Sequence, residues 1–172
     1  MTAAAQSKPQ SRDQAVATTP DREIIIRRTL DAPRELVFRV WTDPGHLPHW
    51  YGPNGFTTTI QEMSVRPGGE WRLVMHGPDG RDYRNRIVFD EVVPPERLVY
   101  RHVPEPGTEP ATHLTIVTFE DRGGRTELTL RMVFDSNQTR DHIIRTYGAV
   151  EGGRQTVGRL ADYLAQLDSG GR

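Results

Sequence analysis

SNQTRDHIIRTYGAVEGGRQTVGRLADYLAQL, residues 136–167, is the stretch on which the fold turns. In its second half apolar residues recur at Val150, Val157, Leu160, Ala161, Leu164 and Leu167. Steps of three, four and seven residues stack these side chains on one stripe of an α-helix. The first half carries Ile143, Ile144 and Tyr147, then three glycines within six residues, Gly148, Gly152 and Gly153. Each Gly inside a helix is about 1 kcal/mol less favourable than Ala. The pattern predicts a helix that seals a core at its C-terminal end and leaves room further up. Gly148 either continues this helix or breaks it. Gly152-Gly153 either admit a neighbouring side chain or ligand, or mark a kink.

Working outward, the chain before this helix alternates at the period of strands. Strands are expected over 22–30, 56–63, 70–76, 83–93, 97–103, 112–120 and 126–134. Trp71, Leu73 and Met75 alternate with Glu70, Arg72 and Val74, and Leu128, Leu130, Met132 and Phe134 face one way in the last strand. RPGG (66–69), GPDG (77–80) and DRGGR (121–125) are hairpin turns, and the Pro-rich PEPGTEP (104–110) is expected to be an exposed loop. Two short helices are expected between the first two strands. Asp31 is placed to cap the first, with Pro33 in its first turn and Val37, Val40 and Trp41 on its inward face. HLPHWYG (46–52) is the second. The order is therefore β-α-α-β-β-β-β-β-β-α. Hairpin-length connections imply an antiparallel sheet, whose apolar face must be covered. Only the C-terminal helix is long enough, about 45 Å if unbroken. The fold class is α+β: a curved antiparallel sheet of six to seven strands gripping a long helix, with a wedge-shaped space beside it.

The 172-residue length suits one domain. A net charge of −1 gives no global attraction for nucleic acid or an anionic membrane. The 22 basic residues are 21 Arg and one Lys, which we read as composition bias rather than Arg patches. With no cysteine, disulfides, thiol catalysis and Cys-ligated metals are excluded. No apolar run approaches the roughly 20 residues of a membrane span, and the N-terminus has no secretory apolar segment, so a cytoplasmic protein without membrane insertion is expected. Residues 1–21 are small, polar and Pro-containing, and are expected to form a disordered tail. The folded domain is expected over 22–168, with 169–172 fraying.

Three separated stretches are similar to one family. TLDAPRELVFRVWTDPGHLPHWYGP (29–53), MHGPDGRDYRNRIVFDEVVPPERLVYRH (75–102) and GAVEGGRQTVGRLADYL (148–164) resemble the SRPBCC, or START-like, superfamily. More narrowly, they resemble the branch similar to the C-terminal domain of the activator of the heat-shock protein 90 ATPase. The resemblance covers about residues 22–167. It implies a helix-grip fold of the START and birch-pollen-allergen type, with a hydrophobic cavity between sheet and helix. It does not select an activity, since the superfamily includes lipid carriers, hormone receptors, polyketide cyclases, ring-hydroxylase subunits and chaperone regulators. The eukaryotic activator has a second, N-terminal domain that contributes to partner contacts, whereas about 20 residues precede the expected fold here.

His102 and His113 flank the Pro-rich loop on consecutive strands. If Tyr100 and Val117 face inward, both histidines do too, where they would bind a polar group or act as acid and base. The alternative is a satisfied or rim-exposed pair. Asn85 is the polar member of an inward series with Tyr83, Ile87 and Phe89, either anchoring a ligand or bonding the backbone. Trp50, Trp71, Met75 and Tyr147 are candidates for a cavity wall, with core packing as the alternative. His46 and His49 form an H-x-x-H pair, but a metal site wants three or four ligands, so we read them as surface or capping residues. No phosphate loop, nucleophile elbow or paired carboxylate appears. No metal, cofactor or catalytic residue is assigned. The reading is a binding protein for a hydrophobic or lipid-like small molecule, with Trp50, Trp71, Met75, Asn85, Ile87, Tyr100, His102, His113, Val117 and Tyr147 at the cavity. The alternatives are a chaperone-ATPase-activator-like interaction protein and a cofactor-free cyclase or isomerase using His102, His113 or Tyr100. An exposed strand edge would also allow a homodimer.

Overall fold

The computed structural model describes residues 19–106 and 113–170, with side chains through 168. Residues 1–18 of the expected tail, residues 107–112 of the Pro-rich loop and following strand, and residues 171–172 lie outside the described residues. A 3-10 turn at Pro20–Arg22 leads into β1, Glu23–Leu30. Helix α1, Arg34–Thr42, and a 3-10 turn at Leu47–His49 follow. Six strands come next: β2 (Thr57–Met63), β3 (Glu70–His76), β4 (Asp82–Val93), β5 (Arg97–Val103), β6 (His113–Arg122) and β7 (Arg125–Phe134). They form one antiparallel sheet in the order β1-β7-β6-β5-β4-β3-β2. The chain ends in α2, Asn137–Tyr147, and α3, Ala149–Gly170.

The C-terminal helix is thus two helices. Gly148 adopts φ 59°, ψ 42°, the left-handed conformation that ends a helix and that glycine reaches without a Cβ penalty. Its N–H still donates to Ile144 O at 2.9 Å, closing α2. Ser136 opens α2 by accepting a hydrogen bond from Thr139 N at 3.1 Å. The expected Asp31 cap on α1 is not formed. Pro33 is the N-cap, with φ −66° and ψ 147°, and Asp31 instead meets Arg125 Nε at 3.1 Å. Proline's ring holds the φ that this position needs, so no side-chain cap is required.

The inward stripe of α3 is buried through Val157, Leu160 and Leu164. It closes on an aromatic core. Trp41 and Trp50 meet at 4.9 Å, Trp71 stacks on Phe89 at 6.2 Å, and Tyr100 stands edge-on to both Trp71 and Phe89. Edge-to-face pairs of this kind add about 0.5–1.5 kcal/mol each beyond their buried area. The glycine pair in α3 is part of this packing. A Cβ on Gly153 would lie 2.3 Å from Ile26 Cδ1, and one on Gly152 would lie 3.4 Å from Pro53 Cγ. Of the two readings of that segment, close approach by neighbouring side chains is the one realised.

Candidate ligand-binding site

The inward face of the sheet is divided crosswise. Along β3 the inward residues run Trp71, Leu73, Met75, and along β4 they run Phe89, Ile87, Asn85, Tyr83. The first members of each series are buried core, while Met75, Asn85 and Tyr83 are half-buried. The same change occurs on β5 from Tyr100 to His102 and on β6 from Val117 through Thr115 to His113. The core end is covered by α3. The other end faces α2, and between them lies an open groove of about 600 Å³.

Met75, Tyr83, Asn85, His102 and His113 form the sheet side of this groove. Ile143, Thr146 and Tyr147 form its α2 side, and Pro53 and Phe56 close one end. Tyr147 is 47% exposed, unusual for a large ring on a helix turned toward a sheet. The Pro53–Phe56 end is held from α3. Arg159 Nη1 donates to the carbonyls of Gly52, Pro53 and Phe56 at 2.8, 3.1 and 3.3 Å, and Asn54 N donates to Gln155 Oε1 at 3.1 Å.

The structure brings five of the expected site residues to the groove: Met75, Asn85, His102, His113 and Tyr147. The other five do not line it. Trp50, Trp71, Ile87 and Val117 are fully buried and Tyr100 is 2% exposed, all within the core cluster. They share the inward face, but they sit at the end that α3 seals. Trp50 also spends its indole N–H on Val40 O, at 3.2 Å. Asn85 Nδ2 donates to Tyr83 O at 3.1 Å, so its backbone bond is made, and it still faces the groove. Phe56 and Thr146 were missed because their position depends on how α2 and the loop after the 3-10 turn dock. Ile143 carried a signal, as one of the apolar residues preceding the glycines.

His102 and His113 are register partners on β5 and β6, with ring centroids 4.1 Å apart and planes 17° apart. His113 also stacks on Phe134 at 5.0 Å. Burial pushes the His113 imidazole down to about 4. Burial, reinforced by His113, holds His102 well below its ordinary range. Both rings are therefore neutral near pH 7. His46 and His49 play no part in the groove. His46 Nδ1 meets the Tyr163 hydroxyl at 2.7 Å and His49 stacks on the Tyr163 ring at 5.3 Å, tying the 3-10 turn to α3. A hydroxyl–imidazole–carboxylate chain, Thr59–His76–Asp82 at 2.8 and 2.7 Å, lies on the exposed outer face beside the GPDG turn. Among the described residues no cluster of three His, Asp or Glu could hold a metal.

A curved seven-stranded antiparallel sheet around C-terminal helices, with a groove between them, defines a helix-grip protein of the START type. Residues 31–165 match the family described as Activator of Hsp90 ATPase homolog 1-like protein, and the chain belongs to that family. No curated protein matches the sequence. Among solved structures, a protein of Nitrosomonas europaea is similar at 25% identity and a TM-score of 0.78, over 88% of this chain and 99% of that one. One from Arthrobacter aurescens is similar at 24% identity and 0.79, over 85% and 87%. A Silicibacter pomeroyi protein described as AHSA1 is similar at 20% identity and 0.68, over 84% and 98%. No helix among the described residues is long and apolar enough to cross a membrane.

Proposed function

We propose that residues 22–168 act as one small-molecule-binding unit that holds a hydrophobic ligand in the groove between the sheet and α2. The carrying observation is the groove of about 600 Å³ with Met75, Phe56, Ile143 and Tyr147 on its walls. Its size falls within the roughly 300–1,000 Å³ of small-molecule sites, and its mix of apolar walls with a few polar groups is the usual composition of one. Binding is burial of apolar surface, oriented by Asn85 and the histidine pair, and needs no cofactor.

Titration with the uncharged dye N-phenylnaphthylamine tests this reading. Saturable fluorescence enhancement is expected, weakened about fivefold to thirtyfold by Tyr147→Ala, which removes an apolar wall worth about 1–2 kcal/mol on burial. No saturable binding, or binding indifferent to substitutions at both Tyr147 and Met75, would overturn it.

Family membership favours a second reading, an interaction protein acting on a chaperone ATPase. Its measure is the rate of ATP hydrolysis by the bacterial heat-shock protein 90 on mixing, and an unchanged rate would count against it. The cyclase-like reading has less support. His102 and His113 are neutral near pH 7 and so lack the proton of a general acid. Tyr100 is buried outside the groove with its hydroxyl pushed well above its ordinary range, which withholds the phenolate needed for a base.

A further inference from the structure

The histidine pair defines the ligand more narrowly, an inference that rests on the ligand-binding reading above. His102 Nδ1 is buried and has no hydrogen-bond partner among the described residues. Two rungs along the β5–β6 ladder, opposite Tyr100 and on the same face, Thr115 is 2% exposed and its Oγ1 is likewise unpartnered. Buried polar atoms without partners are costly and rare in native structures. These two fall where the groove meets the core. We propose that the groove takes an uncharged amphiphile, an apolar ring system or chain bearing a hydroxyl, and that this hydroxyl hydrogen-bonds the His102 imidazole.

A hydroxyl both donates and accepts, so it satisfies either tautomer of a neutral histidine. A carboxylate seated against His102 would need a cation at that point, and neither ring of the histidine pair supplies one. The His102 and His113 rings lie face to face at 4.1 Å, so two imidazolium charges there would repel each other. Burial independently disfavours protonating either ring. Arg86, at the groove's border, is engaged by Glu70. Arg84 also borders the groove but is exposed, where water screens its charge.

Three near-isosteric probes separate the outcomes: 2-naphthol, 2-methylnaphthalene and 2-naphthoate, each displacing N-phenylnaphthylamine from the full chain at pH 7.5. The expected result is 2-naphthol binding about tenfold tighter than 2-methylnaphthalene, the yield of one net hydrogen bond, and tighter than 2-naphthoate. His102→Phe should abolish the preference for naphthol, read as the ratio of the naphthol and methylnaphthalene affinities, with the near-ultraviolet dichroism in place. Equal binding of naphthol and methylnaphthalene to the unsubstituted protein, or a preference for naphthoate, overturns the proposal with the groove reading intact. So does a naphthol preference that survives His102→Phe. Failure of the dye to bind at all removes both.

Discussion

At the scale of single residues, a close fit between side chain and helix backbone joins α3 to β1. Gly153 leaves room for the Ile26 side chain, which is 7% exposed. Gly153→Ala would gain about 1 kcal/mol of helix propensity but would drive a methyl into Ile26 Cδ1. The overpacking term, about 1–3 kcal/mol, wins, so a net loss of about 1 kcal/mol is expected in urea denaturation. Ile26→Val deletes the Cδ1 methyl. The double variant should therefore be about 1 kcal/mol more stable than the two single losses added together; strict additivity would disprove the contact. The histidine pair leaves a pH signature. An unfolded histidine titrates at about 6.5, while folded His113 titrates only at about 4 and burial holds His102 well below its ordinary range. Between those values the unfolded chain takes up protons that the folded chain refuses, so stability held above pH 6.5 is lost as pH falls toward 4. A thermal midpoint that drops across this window, and drops less in His113→Phe, is the expected result. A flat profile from pH 7 to 4.5 would contradict the burial of the pair.

At the scale of elements, the strands were legible almost to the residue, because alternation and turn chemistry are local. RPGG, GPDG and DRGGR do end strands, and β3, β5 and β7 run where period two places them. The end of the C-terminal helix was equally legible through Val157, Leu160 and Leu164. Its continuity was not, since a glycine within a helical pattern is compatible with a helix residue or a left-handed cap, and the docking of α2 on β1 and β7 selects the cap. Gly148→Ala should cost about 1–2 kcal/mol, because a side chain at φ 59° meets its own backbone. Ser136→Ala should cost about 1 kcal/mol through the lost bond to Thr139 N. Both losses would appear as shifts in the denaturation midpoint, and insensitivity to either would exclude the cap in question.

At the scale of the whole molecule, α3 does two things for the groove without lining it. It fills the core end of the sheet, so that the remaining space is confined to the α2 end. Through Arg159 it also fixes the loop that carries Pro53 and Phe56. Arg159→Met keeps most of the apolar stem but strands three carbonyls. A loss of about 2 kcal/mol is expected, at about 1.5–3 kcal/mol for hydrogen bonds from a charged donor. Dye affinity should fall as well, although residue 159 is not on the groove wall. Reduced stability with unchanged affinity would detach the loop from the site.

The sequence by itself determined the helix-grip class, the family, the strand order along the chain and which residues of each strand face inward. The strands, their facing and the sheet-and-helix class follow from periods of two and 3.6 and from turn residues, all short-range properties, while the family was legible in the resemblance of residues 29–53, 75–102 and 148–164. It also pointed to Met75, Asn85, His102, His113 and Tyr147. Only the tertiary structure decided that Trp50, Trp71, Ile87, Tyr100 and Val117, with the same inward signature, belong to packed core. Alternation tells which face a side chain takes, not which helix covers it. That is set where α2 and α3 part at Gly148, and there one inward face becomes a sealed core at one end and an open groove at the other.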